Sequence, residues 1–278
     1  MTGRSRALIV ALAVFALAVG VLIGSGPLRA GIGAGTSQAE LLAEARADAE
    51  AAGELAAQGT DFADAVGPAA VAGLLDGHVV ALVRTADASS EDLAAASARL
   101  ADAGVTVGST VALTDDWAGE DRAPFRIALA EQITAALPEP PAGATPQQVL
   151  STALAQALAG GDEFDAEAQE RSDTLWALLT DAELVMGDRS ADADLIVLVT
   201  PGGDVADLGS AFAAASTGAI VGFTKAEAGD AGGATTVTRA ATFYGAWAVA
   251  GATIAATDGS VGHYDASDAD ELVGELNQ

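Results

Sequence analysis

The sequence contains no cysteine, one lysine, two histidines and two methionines, and aromatic residues fill only 4% of its 278 positions. Without cysteine there is no disulfide, no thiolate ligand for zinc or an iron–sulfur cluster, and no cysteine nucleophile. The single lysine, Lys225, follows Phe223-Thr224 rather than a glycine-rich loop, which excludes a P-loop. G-x-S-x-G is also absent, so a hydrolase nucleophile elbow is unsupported. Basic residues are scarce as a class: 12 Lys+Arg stand against 39 Asp+Glu, for a formal net charge of −27 and a pI near 4.1. A surface of that sign repels a polyanion and rules out nucleic-acid binding. What the chain does have is apolar residues, 51% of the total, with alanine alone supplying about a quarter. That is too apolar for a disordered acidic tail, so the chain folds, with a core of small and aliphatic side chains. Its length suits one large domain or two small ones.

Charge is distributed unevenly. Residues 1–29 carry Arg4, Arg6 and Arg29 and no acid, a balance of +3, whereas the remainder carries −30. Between Arg6 and Arg29 the run Ala7 to Leu28 has no ionisable side chain. As a helix it would reach about 33 Å, enough for a ~30 Å hydrocarbon core. The leading arginines then stay cytoplasmic and the acidic remainder lies outside the cytoplasm. The competing reading is a cleaved signal peptide. The apolar run Ala7 to Ile23 is long for that, and the best small-x-small site, Ser37-Gln38-Ala39, lies well downstream, so an uncleaved single-pass anchor is preferred. Gly20 and Gly24 form a GxxxG that brings two membrane helices close together, or simply reflect the abundance of glycine in such helices. The expected organisation is an anchor over 1–30, linker and stalk helices over 31–76, and an extracytoplasmic α/β domain over 77–278.

After the glycine-rich link Gly31 to Ser37, the stretch QAELLAEARADAEAAGELAAQ reads as a helix with an a/d stripe at Leu42, Ala45, Ala49, Ala52 and Ala56. It is either a dimer stalk, a short coiled coil, or a solvated spacer. From Gly77 strands and helices alternate. Val79 to Val83 and Val105 to Leu113 read as strands around a helix, Glu91 to Ala103, capped by Ser89 or Ser90. Helices follow over Phe125 to Leu137, from Pro146 to about Ala159, and over Thr174 to Leu184 with Leu175, Leu178 and Leu179 on one face. Leu195 to Val199 is the strongest strand, followed by the turn Pro201-Gly202-Gly203, a helix to about Ala215, a strand over Ala219 to Phe223 and another over Thr235 to Thr238. Thr242 to Ala256 is apolar and fits helix or strand. Uniformly apolar strands separated by helices imply a mostly parallel sheet covered on both faces. The two strand blocks, near 77–113 and 194–238, suggest two α/β halves joined by a helical middle.

Few motifs carry chemistry. Pro201-Gly202-Gly203-Asp204 sits at a strand-to-helix turn, where free N–H groups can bind an anion. It lacks G-x-G-x-x-G and a basic neighbour, and an ordinary tight turn is the preferred reading. His78, just before a strand, reads as a structural or surface residue. His263 and Asp265 lie in Gly262-His263-Tyr264-Asp265, followed by Asp268, Asp270 and Glu271. That cluster is either a weak divalent-ion site or a solvated acidic tail. It lacks EF-hand spacing. No catalytic constellation stands out, so an enzyme is not expected.

The N-terminal span ending LAVGVLIGSG, the helix behind it, and FADAVGPAAVAGLLDGHVVALVRTADASSEDLAAASARLADAGVTVGSTVALTDDW resemble the mycobacterial copper transport protein B family. The likeness returns at DADLIVLVTPGG and VGHYDAS and covers most of the chain in order. It implies a role in copper efflux and copper tolerance at the actinobacterial cell envelope, in a family described as pore-forming. It weakens after Arg239, where AATFYGAWAVAGATIAATDG replaces the Ser-Thr-Val-Asp segment and strand of the family pattern. His263 and Tyr264 match the GHY element, to which no ligand role attaches. The residues themselves argue against a pore built by one domain, because a membrane β-barrel needs segments of about ten residues alternating apolar and polar. Transport then requires a homo-oligomer lining a path, or envelope partner proteins that the domain assists.

Overall fold

Leu195 to Thr200 is buried at all six positions, and so is Gly218 to Phe223. Aliphatic runs of this kind are stable only where both faces of a sheet are covered. In the computed structural model, which describes residues 38–137, 143–159, 166–190, 193–257 and 259–265, these runs form the middle of a seven-stranded sheet. Its strands are β1 (Val79–Arg84), β2 (Thr106–Leu113), β3 (Val185–Asp188), β4 (Leu195–Thr200), β5 (Gly218–Phe223), β6 (Thr235–Thr238) and β7 (His263–Asp265), in the order β3-β2-β1-β4-β5-β6-β7. All neighbours are parallel except β3, which runs antiparallel to β2.

The two strand blocks are one sheet. Val80 to Arg84 of β1 pair in register with Leu195 to Val199 of β4, so the expected halves share a continuous ladder instead of forming separate units. The chain steps outward from β1 to β2 and β3, then returns to β4 on the opposite flank of β1. That reversal makes the β1/β4 boundary a topological switch point.

Helices cover both faces. On one side lie α2 (Ser90–Asp102) and α7 (Phe243–Thr257), which pack together. On the other lie α3 (Ala123–Thr134), α4 (Pro146–Leu158), α5 (Ala166–Asp181) and α6 (Ala206–Ala215), with α4 touching all three of the others. The second face holds the larger core, in which Ala81, Val83, Ile196, Leu198, Val221 and Phe223 from alternate strand positions meet Leu150, Leu154, Leu175 and Phe212. Local signals account for the helix starts. Ser89 Oγ accepts the Asp92 N–H at 3.0 Å and caps α2. Thr145 and Gln148 form a reciprocal capping box ahead of α4, with Pro146 in its first turn. The ambiguous stretch after Thr242 is helix α7, whose alanines allow close approach to the sheet. A side chain at Gly218 would place its Cβ 2.8 Å from the Ala256 Cβ. Similarly, Gly209 of α6 faces the Ala231 carbonyl, which a Cβ would meet at 1.9 Å.

The helix read over residues 38–58 is longer than its a/d stripe. α1 (Gln38–Val71) runs 34 residues, carries Pro68 near its end, and belongs to a unit separate from residues 72–278. Leu42, Leu55 and Phe62 are exposed on it. Short strands β3 and β7 were not expected: each is an edge strand of three or four residues, without the periodic signal that marks the interior ones. The membrane span read over Ala7 to Leu28, with Gly20 and Gly24, lies outside the described residues. Among the described residues no helix is long and apolar enough to cross a membrane.

Candidate functional site

In open α/β sheets, ligands bind in the crevice beyond the carboxyl ends of the strands at the switch point. Here β1, β2 and β4 end around a crevice of about 520 Å³. Its walls are the loops after those three strands, the N-terminus of α6 and the start of α4.

Each loop is set by its own sequence. After β1, the Thr85 N–H continues the ladder to the Val199 carbonyl at 3.1 Å, and the Thr85 hydroxyl donates to Asp87 Oδ1 at 2.7 Å. Arg84 Nη1 donates to the Ala88 carbonyl at 2.9 Å and closes the turn. After β4, the Thr200 hydroxyl donates to the Gly202 carbonyl at 3.1 Å, and the two threonine oxygens sit 3.2 Å apart across the switch point. Gly202 and Gly203 have φ of +147° and +94°, values that favour glycine and shape the turn into α6. Asp204 Oδ1 accepts the Ala206 N–H at 3.0 Å. After β2, Trp117 is buried, and Arg126 from α3 reaches back to donate to the carbonyls of Asp116 and Gly119 at 2.8 and 2.6 Å. Those two bonds fix the guanidinium on the β2 side of the crevice.

The crevice is negatively charged. Asp87, Asp115, Asp204 and Asp207 line it against one cation, Arg126. The Pro201-Gly202-Gly203-Asp204 turn is therefore no anion cradle, because its own carboxylate already occupies an N–H at the start of α6. Ser151 of α4 also lines the crevice. It is fully buried, and its Oγ has no hydrogen-bond partner among the described residues. A serine inside a helix ordinarily bonds back to the carbonyl four residues earlier, as Thr152 does with Gln148 at 2.8 Å. Ser151 does not. The other unpartnered buried group among the described residues, Trp247 Nε1, is on α7 at the opposite face, with the Arg99 guanidinium 4.8 Å from its ring centroid.

The two histidines lie elsewhere. His78, ahead of β1, pairs through Nδ1 with Asp194 Oδ2, while Asp194 Oδ1 accepts the Val79 N–H at 2.7 Å. That cluster ties the N-terminal ends of β1 and β4 together. His263 and Asp265 stand two residues apart on β7, on one face, with Tyr264 buried between them. His263 Nδ1 shares a hydrogen bond with Thr236 Oγ1 at 2.6 Å. Asp265 takes the Thr238 hydroxyl and the Arg239 guanidinium, the latter at 3.2 Å. These contacts join β7 laterally to β6. Asp268, Asp270 and Glu271 lie outside the described residues, and among the described residues no group of three or more histidine and carboxylate side chains is placed to hold a metal ion.

Sequence reasoning did not single out Thr85, Asp87, Trp117, Arg126 or Ser151. A usable signal existed for Asp87, Asp115 and Asp204, since each follows a strand by two to four residues. Arg126 and Ser151 come from helices and carry no such mark.

A family model described as MctB, copper transport outer membrane protein, matches residues 3–273. No curated protein matches the sequence. The match spans the sheet, both helical layers and the segment before α1, and the chain therefore belongs to the MctB family of copper transport outer membrane proteins.

Proposed function

We propose that this chain is an envelope-anchored protein contributing to copper efflux and copper homeostasis, held to a membrane by its N-terminal span, with the α/β domain outside the cytoplasm. The observation that carries this reading is the family match over residues 3–273. The net charge of −27 supports it physically, since an acidic surface raises the local concentration of cations. The protein is no enzyme in this reading. It contributes to transport either as a homo-oligomer or by assisting an envelope partner, because the mostly parallel sheet of the described residues, covered by helices, encloses no lumen. The deciding experiment deletes the gene and challenges cells with copper. Raised intracellular copper and poorer growth, both restored by the full-length gene, are expected; unchanged values would sink the proposal. Calorimetry of copper with the full chain, wild type against His263→Ala and Asp265→Ala, then separates direct binding at β7 from an indirect role.

A second reading is an interaction module of the envelope without ion conduction. It is favoured by the exposed Leu42, Leu55 and Phe62 on the 34-residue α1. Replacing Gly20 and Gly24 with bulky residues tests association through the membrane span, and an unchanged oligomer size would remove that part.

A further inference from the structure

We propose that the crevice at the C-terminal ends of β1, β2 and β4 binds a small organic ammonium compound, a ligand independent of the copper role. The volume, about 520 Å³, suits a small molecule. Four carboxylates against one guanidinium select for positive charge. A bare metal ion is the wrong cation, because the carboxylates come from three separate loops and the first turn of α6. Among the described residues no three of them converge as ligands. An organic cation needs no such convergence. Its ammonium can pair with one of the lining carboxylates, Asp87, Asp204 or Asp207, in the field of the others, and its carbon stem can lie along the apolar wall of Leu113, Trp117 and Leu208.

Ser151 is the independent observation. A fully buried hydroxyl without a partner is costly, and native folds rarely keep one without a use. This one faces the crevice, where a ligand N–H would complete it. The fixed Arg126 on the β2 side adds a seat for an acceptor at the far end of the ligand. A compound carrying both an ammonium and a carboxylate would use both ends of the crevice; a plain diamine would use only one.

The test is calorimetry of the full chain in mild detergent with two probes, putrescine and lysine, at low and at high salt. Saturable one-site binding of at least one probe is expected to survive high salt. Ser151→Ala and Asp207→Asn, each checked for native circular dichroism, should weaken it about three- to tenfold. Tighter binding of lysine, with the advantage lost in Arg126→Gln, would place a carboxylate on the guanidinium; tighter binding of putrescine would place the ammonium alone. Either supports the proposal. No heat with either probe would overturn it. So would binding that ignores both the Ser151 and Asp207 substitutions and vanishes with salt, since that marks diffuse attraction to an acidic surface. Neither result bears on the copper phenotype of the gene deletion, so the two proposals fail separately.

Discussion

At the N-terminal ends of β1 and β4 the polar groups close on one another, whereas at the C-terminal ends of the same strands they open onto a crevice. Asp194 uses one carboxylate oxygen on His78 and the other on the Val79 N–H, and its own N–H bonds the Val79 carbonyl at 3.0 Å. At the opposite ends of the same strands, Asp87, Asp204 and Asp207 line the crevice, and Ser151 is left without a partner. Polar groups satisfied within the fold contribute to stability; polar groups held apart in a concave site cost stability and are available to a ligand. The same two strands thus separate the two roles by direction.

The largest expected effect probes what both ends share. Leu198→Ala truncates a fully buried side chain at the centre of β4 and should cost about 2–5 kcal/mol. In urea unfolding followed by fluorescence in two backgrounds that keep Trp117 or Trp176 as the sole tryptophan, both signals should shift together. Separate transitions would mean that the sheet does not couple its ends. Next comes the closed end. Asp194→Ala removes the acceptor of the Val79 N–H and the partner of His78, and should cost about 2–3 kcal/mol in the same assay while leaving the crevice unchanged. A loss under half a kcal/mol would show that this end is not the stabilising one. Thr145→Ala breaks the capping box of α4, the helix that carries Ser151, and should cost about 1 kcal/mol. The smallest effect has the opposite sign. Ser151→Ala deletes an unsatisfied hydroxyl from a helix and should stabilise by about 0.5–1 kcal/mol, read as a higher urea midpoint. Destabilisation by that amount would mean the hydroxyl is satisfied, and the contrast between the two ends would collapse.

Much of the fold was legible because the interior strands are uniformly apolar and the helices carry their start signals. Leu195 to Thr200 reads as a strand, Ser89 and Pro146 mark helix starts, and Leu175 and Leu179 mark a buried face, all from local patterns. Edge strands β3 and β7 escaped because three or four residues paired on one side have little periodicity. Helix α7 was ambiguous for the opposite reason: nearly every position is apolar, so no face distinguishes helix from strand. The candidate site was barely legible. Asp87 and Asp204 are two of 39 acids, and Ser151 reads as an ordinary serine in an alanine-rich helix. His263 and Asp265 stood out by residue type, and in the fold both also join β7 to β6.

By itself the sequence determined the chemistry that is absent, the asymmetry of charge along the chain, the alternation of strands and helices, and the family likeness. These depend on composition and on neighbours a few positions apart. Strand order, the joining of two blocks into one sheet, and the meeting of Thr85, Arg126, Ser151 and Thr200 at one crevice were decided only by tertiary structure. The physical reason is that hydrophobic burial is non-directional. It requires that apolar strands be covered, but which strand lies beside β1 depends on the packing of helices distant in sequence, and the crevice exists only where the chain reverses its direction of travel across the sheet.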